Sequence, residues 1–191
     1  KGSMVFVFAS ILYRVFPMLK AEWYVLLCVL SVVTMITGNL FAIRQENLKR
    51  FLAFSSITQI GFILIGISGN PHNGMTSSIY FIVIYVFSNL AAFAVVSRIS
   101  ELTGKETISQ YRGLAKTNPT LAWIMAIALF SLAGIPPTAG FFGKIFLLTS
   151  GASGGNYILI TIAALNMMVA LYYYLRVIRA MFMENQAEII P

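Results

Sequence analysis

The chain has 191 residues, of which 59% are hydrophobic and only 10% are charged. Because soluble domains carry about a quarter charged residues, this composition excludes a soluble domain and indicates an integral membrane protein. The net charge of +7 does not indicate a nucleic-acid partner, because the basic residues are scattered between apolar runs. With one cysteine, Cys28, and one histidine, the sequence offers no internal disulfide and no spacing typical of a metal or haem site.

Apolar runs separated by short polar connections predict a series of transmembrane helices in one domain. The predicted spans are residues 1–13, crossing only in part, then 24–43, 51–68, 77–97, 121–150 and 157–175. Residues 70–74 predict a turn, and residues 98–119 form the long polar connection. The fold class is therefore all-α, a polytopic transmembrane helix bundle. Because the chain begins at Lys1 with a run too short to span, we expect it to belong to a longer protein.

Residues 121–150 form an apolar run whose one charge is Lys144. A straight helix of roughly thirty residues would extend about 45 Å, well beyond the ~30 Å hydrocarbon layer of a bilayer. Helix-breaking residues occupy its centre: Gly134, Pro136, Pro137 and Gly140. Adjacent prolines remove backbone donors and clash with the preceding turn. The sequence predicts two half-helices joined at a break, a feature that transporters use at ion sites.

The distribution of basic residues predicts the orientation of the bundle. One side, called here the basic side, receives Arg44, Lys49, Arg50, Arg98, Lys105, Arg112, Lys116, Arg176 and Arg179. The opposite side receives Arg14 and Lys20. The positive-inside rule places the basic side in the cytoplasm or matrix. This division requires that the broken segment crosses the membrane once.

Lys144 is the strongest candidate for a functional residue, because its position in the apolar run places it deep in the membrane. One alternative is a lysine whose stem lies in lipid while its ammonium reaches the headgroups. The alternative that we favour is a proton or ion path, since ionisable groups at this depth are costly and usually line one. Burial penalises the charged form of an amine, so a buried lysine can exchange a proton near neutral pH, whereas arginine cannot.

Other polar residues within the spans have two possible roles. A cluster in the third span contains Ser55, Ser56, Thr58 and Gln59. Such residues often form hydrogen bonds between packed membrane helices, but they can also hold the waters of a proton path, and we favour the second role. The asparagines of the spans are expected to be packing contacts: Asn39, Asn89 and Asn166. The aromatic residues 172–174 are expected to anchor the last helix at the interface.

Two motifs resemble those of a known family. Residues 47–57, Asn-Leu-Lys-Arg-Phe-Leu-Ala-Phe-Ser-Ser-Ile, are similar to the Leu-Lys-Arg-x-Leu-Ala-Tyr-Ser-Ser-Ile motif of the antiporter-like membrane subunits of respiratory complex I. Residues 131–144 resemble the broken helix of these subunits with its central lysine. Residues 172–176 and 38–40 resemble the N-type members, called subunit 2 in mitochondria. The resemblance covers essentially the whole chain and implies the C-terminal half of such a subunit.

The resemblance implies roles for two lysines. In these subunits a lysine that opens an apolar run connects two half-channels, and Lys1, which on sequence alone is equally an interfacial anchor, lies at the matching position. Lys144 matches the lysine of the second half-channel, which exchanges protons with the outer side. Many relatives have histidine where this chain has Gln59, so a histidine relay is excluded there. The charged residues of the first half-channel would precede Lys1, so another segment or chain must supply them.

The function implied by the resemblance is proton translocation within an NADH:quinone oxidoreductase. NADH, FMN, iron–sulfur clusters and quinone would bind to other subunits, and this chain would hold no cofactor or metal and catalyse no redox chemistry. The implied partners are other membrane subunits and lipids, in a bacterial plasma membrane or a mitochondrial inner membrane, with no nucleic acid. The alternatives are a subunit of a multi-component sodium/proton antiporter, against which residues 172–176 argue, and a membrane scaffold that does not pump.

Overall fold

The computed structural model describes residues 2–183, which are almost entirely helical. The helices are α1 (Gly2–Arg14), α2 (Lys20–Arg44), α3 (Leu48–Ser68), α4 (Pro71–Thr103), α5 (Leu114–Thr117), α6 (Pro119–Ala133), α7 (Ala139–Ala152) and α8 (Tyr157–Met183). Short 3₁₀ turns at Pro17–Leu19 and Ile108–Tyr111 precede α2 and α5. Four helices, α2, α3, α4 and α8, are long and apolar enough to cross a membrane, and α1, α6 and α7 are shorter apolar helices. The predicted all-α transmembrane bundle is confirmed.

The bundle is organised around α3, the most enclosed of the long helices, which packs against α2, α4 and α7. Small residues allow this close packing, as is typical of membrane helices. A Cβ at Gly38 of α2 would lie only 2.5 Å from the Thr58 hydroxyl of α3, and a Cβ at Gly61 of α3 would lie 2.5 Å from Cγ of Met35. Since α3 is surrounded by protein, its polar side chains face other helices rather than lipid.

The broken segment formed by α6 and α7 crosses the bundle once, as the division of basic residues requires. Near the basic side, Trp123 of α6 packs edge-on against Phe182 of α8, with ring centroids 5.1 Å apart. At the other end, the Ser150 hydroxyl of α7 donates a hydrogen bond of 3.2 Å to the Gly66 carbonyl near the end of α3. The two half-helices therefore lie end to end across the membrane.

The prediction of a turn at residues 70–74 is wrong beyond its first residue. Asn70 instead caps α4, because its side chain accepts a hydrogen bond of 3.0 Å from the His72 amide. Pro71 occupies the first helical position, where a missing backbone donor has no consequence. Residues 71–74 thus form the first turn of a helix that continues to Thr103, past the predicted end at residue 97.

The polar connection on the basic side is fastened to the start of α3. The Leu48 amide donates to the Glu106 carbonyl and the Ile108 amide to the Glu46 carbonyl, both at 2.8 Å. Lys49, expected to act in orientation, also pairs with Glu106, with its Nζ 2.6 Å from Oε1. Hydrogen bonds from Lys49 and from neighbouring amide and hydroxyl groups lower the pKa of Glu106 to about 2.

The prediction that residues 172–174 anchor α8 at the interface is wrong for two of the three tyrosines. Tyr172 is exposed, but Tyr173 and Tyr174 are fully buried. Both buried rings pack edge-on against Phe51 of α3, with centroids 5.4 and 5.7 Å from it. These rings fasten α8 to α3, so this aromatic run belongs largely to the bundle interior.

Candidate functional site: a buried lysine at the helix break

The break between the half-helices is built by local backbone chemistry. Gly134 ends α6 in the left-handed conformation, with φ 79° and ψ 50°, and its amide donates to the Phe130 carbonyl at 3.0 Å. Pro136 and Pro137 follow, where neither can continue a helix. Gly140 lies in the first turn of α7, against the backbone of residue 131. The chain leaves α6 and re-enters a helix within a few residues.

Lys144 is fully buried, and its ammonium is directed at the end of α6. Its Nζ donates hydrogen bonds of 2.8 Å to the Leu132 carbonyl and 3.0 Å to the Ala133 carbonyl. The last carbonyls of a helix lack partners within it and carry the negative end of its dipole, which favours a cation there. Nζ also lies 5.0 Å from the centroid of the Phe62 ring. The ammonium is thus held by protein and does not reach the headgroups.

No carboxylate of residues 2–183 lies within ion-pair distance of Lys144. A permanent buried charge without an opposite charge is costly, even when hydrogen bonds satisfy it. Helix-end carbonyls favour the protonated amine by partial charges alone. This arrangement suits a group that alternates between protonated and neutral forms.

Gln59 is the one member of the polar cluster that contacts the same backbone carbonyl as Lys144. Its Nε2 donates to the Leu132 carbonyl at 3.2 Å and to the Tyr174 hydroxyl at 3.3 Å. Two donors, one from α3 and one from α7, therefore share the Leu132 carbonyl. The sequence could not indicate this link, because it passes through a backbone atom.

The rest of the predicted cluster is buried but divided among different neighbours. Ser55 and Ser56 donate to the Leu52 carbonyl of their own helix, at 2.9 and 2.8 Å. Thr58 faces α2, where its hydroxyl donates to Asn39 Oδ1 at 3.0 Å. Gln59 alone of the four reaches the Leu132 carbonyl of the break.

Asn39 and Asn166 form the packing contact expected of them. Asn39 Nδ2 donates to Asn166 Oδ1 at 2.8 Å, joining α2 to α8. The Tyr173 hydroxyl donates to Asn39 Oδ1 at 3.0 Å. Asn89 Oδ1 is buried and has no hydrogen-bond partner among the described residues.

Two buried polar residues on α4, Ser78 and Tyr85, were not predicted from the sequence, although Asn89 on the same helix was named. Ser78 Oγ and Asn89 Oδ1 are buried and have no hydrogen-bond partner within residues 2–183. The Tyr85 hydroxyl is also buried and interacts with the Ser56 side chain. Spacings of seven and four residues place Ser78, Tyr85 and Asn89 on one helix face. Because buried polar groups are ordinarily hydrogen-bonded, Ser78 Oγ and Asn89 Oδ1 mark positions suited to ordered water. The same helical spacing was visible in the sequence and could have identified them.

Lys1, the second predicted proton-relay residue, lies outside the described residues. Within residues 2–183, no group of three or more histidine, cysteine, aspartate or glutamate side chains could hold a metal ion.

Comparison with known proteins gives a consistent set of similarities. Residues 2–170 match the family described as NADH:quinone oxidoreductase/Mrp antiporter, transmembrane. The NADH-quinone oxidoreductase subunit N of Azobacteroides pseudotrichonymphae genomovar. CFP2 is 48% identical over 191 residues, which are 100% of this chain and 40% of that relative. A chain of respiratory complex I from Thermus thermophilus is 30% identical with a TM-score of 0.74, over 86% of this chain and 38% of that one. A chain of the Mrp complex from Dietzia sp. DQ12-45-1b is 27% identical with a TM-score of 0.88, over 96% of this chain and 34% of that one.

Proposed function

The chain belongs to the NADH:quinone oxidoreductase/Mrp antiporter transmembrane family, and on that premise we propose that it is part of a proton-translocating subunit of an NADH:quinone oxidoreductase. It spans 40% of the length of the subunit N relative. We propose that it forms a single transmembrane domain, the C-terminal part of such a subunit. The buried Lys144 at the helix break is the observation that carries the proposal.

In the proposed mechanism Lys144 takes up and releases one proton per cycle. When protonated, its ammonium is held by the Leu132 and Ala133 carbonyls. When neutral, the amine no longer pays the cost of an unpaired buried charge. Lys1 would pass a change of charge along the membrane to Lys144, and Ser55, Ser56, Thr58 and Gln59 would border the water path. A charge change elsewhere in the assembly would then favour one form of Lys144 over the other.

Redox chemistry is assigned to other subunits in this proposal. NADH, FMN, iron–sulfur clusters and quinone would bind outside this chain, which would hold no cofactor and catalyse no redox reaction. The partners would be other membrane subunits, including the segment or chain that carries the first half-channel, together with lipids. The name of the subunit N relative and the family match support this assignment.

A sodium/proton antiporter subunit is the second candidate, and the similarity to the Dietzia Mrp complex supports it. The 48% identity to a subunit N, against 27% to the Mrp chain, favours the oxidoreductase. Co-purification with iron–sulfur subunits would distinguish the two. A scaffold that does not pump has less support, because it would not require a buried lysine at a helix break.

The proposed function is tested by Lys144→Met in the full-length subunit within the assembled complex. Methionine keeps the length of the side chain and removes the titratable amine, so we expect fewer protons pumped per NADH oxidised. Lys144→Arg keeps the charge but cannot release its proton, and it should also lower the stoichiometry. The matched control is Lys116→Met, at an exposed position in α5 on the basic side. An unchanged stoichiometry in an assembled Lys144→Met complex would refute the proposal.

A further inference from the structure

A buried apolar side chain, Leu147, lies between Lys144 and the end of α7 on the opposite side. Leu147 follows Lys144 by one turn on the same face of α7 and is fully buried. Ser150 follows Leu147 by another turn and is also buried. At ~1.5 Å per residue, Lys144 and Ser150 are separated by about 9 Å along the helix axis, and Leu147 lies midway between them.

Three side chains meet at Gly66 of α3: Leu147, Ser78 and Ser150. A Cβ at Gly66 would lie 3.6 Å from Leu147 Cγ and 3.1 Å from Ser78 Oγ. The Ser150 hydroxyl donates to the Gly66 carbonyl at 3.2 Å. An apolar side chain from α7 and a hydroxyl from α4 therefore lie side by side against the same backbone.

Ser78 is the unusual member of this group. Its side chain is only 2% exposed, and Oγ has no hydrogen-bond partner among the described residues. In membrane helices a serine or threonine hydroxyl commonly donates a hydrogen bond to the backbone carbonyl one turn earlier, as the Thr76 hydroxyl does to the His72 carbonyl. A buried hydroxyl that does not do so has capacity for a water molecule.

Two cavities open beyond Ser150. One, of about 440 Å³, is lined by Ser150 and Thr149 of α7 and by His72 and Thr76 of α4. Another, of about 550 Å³, is lined by Ser68, Asn70 and Ser153, among others. Water can therefore approach the end of α7 as far as Ser150, one turn beyond Leu147.

We propose that Leu147, seated against Gly66, is the gate that separates Lys144 from the opposite side, and that the Ser78 hydroxyl positions the first water of the outlet beyond it. This inference rests on the proposed function. When Leu147 moves aside, the N–H bond of the ammonium breaks and a bond forms to a water oxygen, leaving a neutral amine. The hydronium then passes its proton along water to Ser150 and the cavities. Ser78 is a positioning residue that does not itself change its protonation.

The gate is tested by Leu147→Ser in the assembled complex in liposomes without NADH. A hydroxyl in place of the isobutyl group lets water enter, so we expect passive proton leak to rise about tenfold, equivalent to about 1.4 kcal/mol off the barrier. The matched control is Leu148→Ser, the next residue, which is only half-buried and points away from this face. Equal leak in the two variants would overturn the gate.

The outlet is tested by Ser78→Ala, with pumping rate and thermal stability measured together. Removing a buried hydroxyl that lacks a partner should not destabilise the helix bundle. If Ser78 served only in packing, the variant would therefore pump at the parent rate. We expect a severalfold slower pumping rate with unchanged stability, while Ser97→Ala, at an exposed position on α4 away from both cavities, keeps the parent rate. Equal pumping in the two serine variants would overturn the role of Ser78. If Lys144→Met lowers the stoichiometry while both outlet tests fail, the outlet is wrong and the proposed function stands.

Discussion

Gly134→Ala is the substitution that tests most sharply how the helix break positions the amine. A Cβ at residue 134 would lie 3.0 Å from Lys144 Cδ, 3.6 Å from Cε and 3.5 Å from Nζ. The lysine side chain must shift by a few tenths of an ångström to relieve this contact. Because Nζ makes hydrogen bonds of 2.8 and 3.0 Å to the end of α6, such a shift weakens both.

The expected cost has two parts that can be separated experimentally. The left-handed backbone at φ 79° costs alanine roughly 1–2 kcal/mol. Weakened hydrogen bonds to the charged amine add about 1 kcal/mol. Gly104→Ala supplies the matched control, because Gly104 has φ 69° while a Cβ there meets no described atom within 4 Å. The control therefore has the backbone cost without the contact to Lys144.

The assay is proton pumping per NADH oxidised in the assembled complex, with thermal stability recorded in parallel. Both variants should lose thermal stability, and Gly134→Ala should lose somewhat more than Gly104→Ala. Only Gly134→Ala should lower the pumping stoichiometry. If both variants pump alike, the hydrogen bonds between Lys144 and the end of α6 do not matter for proton transfer, and the reasoning fails.

Two further predictions concern polar contacts elsewhere in the bundle. Glu106→Gln removes the ion-pair partner of Lys49. The pKa of Glu106 is lowered from 4.5 to about 2 by its contacts in the folded protein. The carboxylate therefore stabilises the fold above pH 4.5, and this stabilisation is lost as the pH falls toward 2. The variant's small deficit in thermal stability at neutral pH, expected of an exposed pair, should therefore shrink on acidification, and a constant deficit would contradict it. Asn39→Leu removes the partner of Asn166 Oδ1 and of the Tyr173 and Thr58 hydroxyls in the interior, at about 1–3 kcal/mol for each group left without a hydrogen bond. Thermal unfolding should show that loss, and the exposed variant Asn73→Leu should not.

The features that the sequence predicts well are those with local physical causes. Adjacent Pro136 and Pro137 cannot continue a helix in any surroundings, so the break could be predicted from the chain itself. The depth of Lys144 follows from counting residues along an apolar run. The expectation of a turn at residues 70–74 overlooked that proline is well tolerated at the first position of a helix.

The features that the sequence does not predict depend on which face of a helix meets protein. Lipid and helix interfaces are both apolar, so hydrophobic periodicity does not distinguish them in a membrane bundle. Tyr173 and Tyr174 therefore suggested an interfacial anchor although they lie in the interior. The link from Gln59 to Lys144 passes through the Leu132 carbonyl, and no pattern of side chains reports a shared backbone acceptor.

The most direct test of the central claim is a density map of the assembled complex that resolves ordered water around Lys144. We expect Nζ at the end of α6, within hydrogen-bond distance of the Leu132 carbonyl, with ordered water on the path between Ser78 and Ser150. A map in which Nζ lies among lipid headgroups or acyl chains, with no ordered water near it, would contradict proton transfer through this residue.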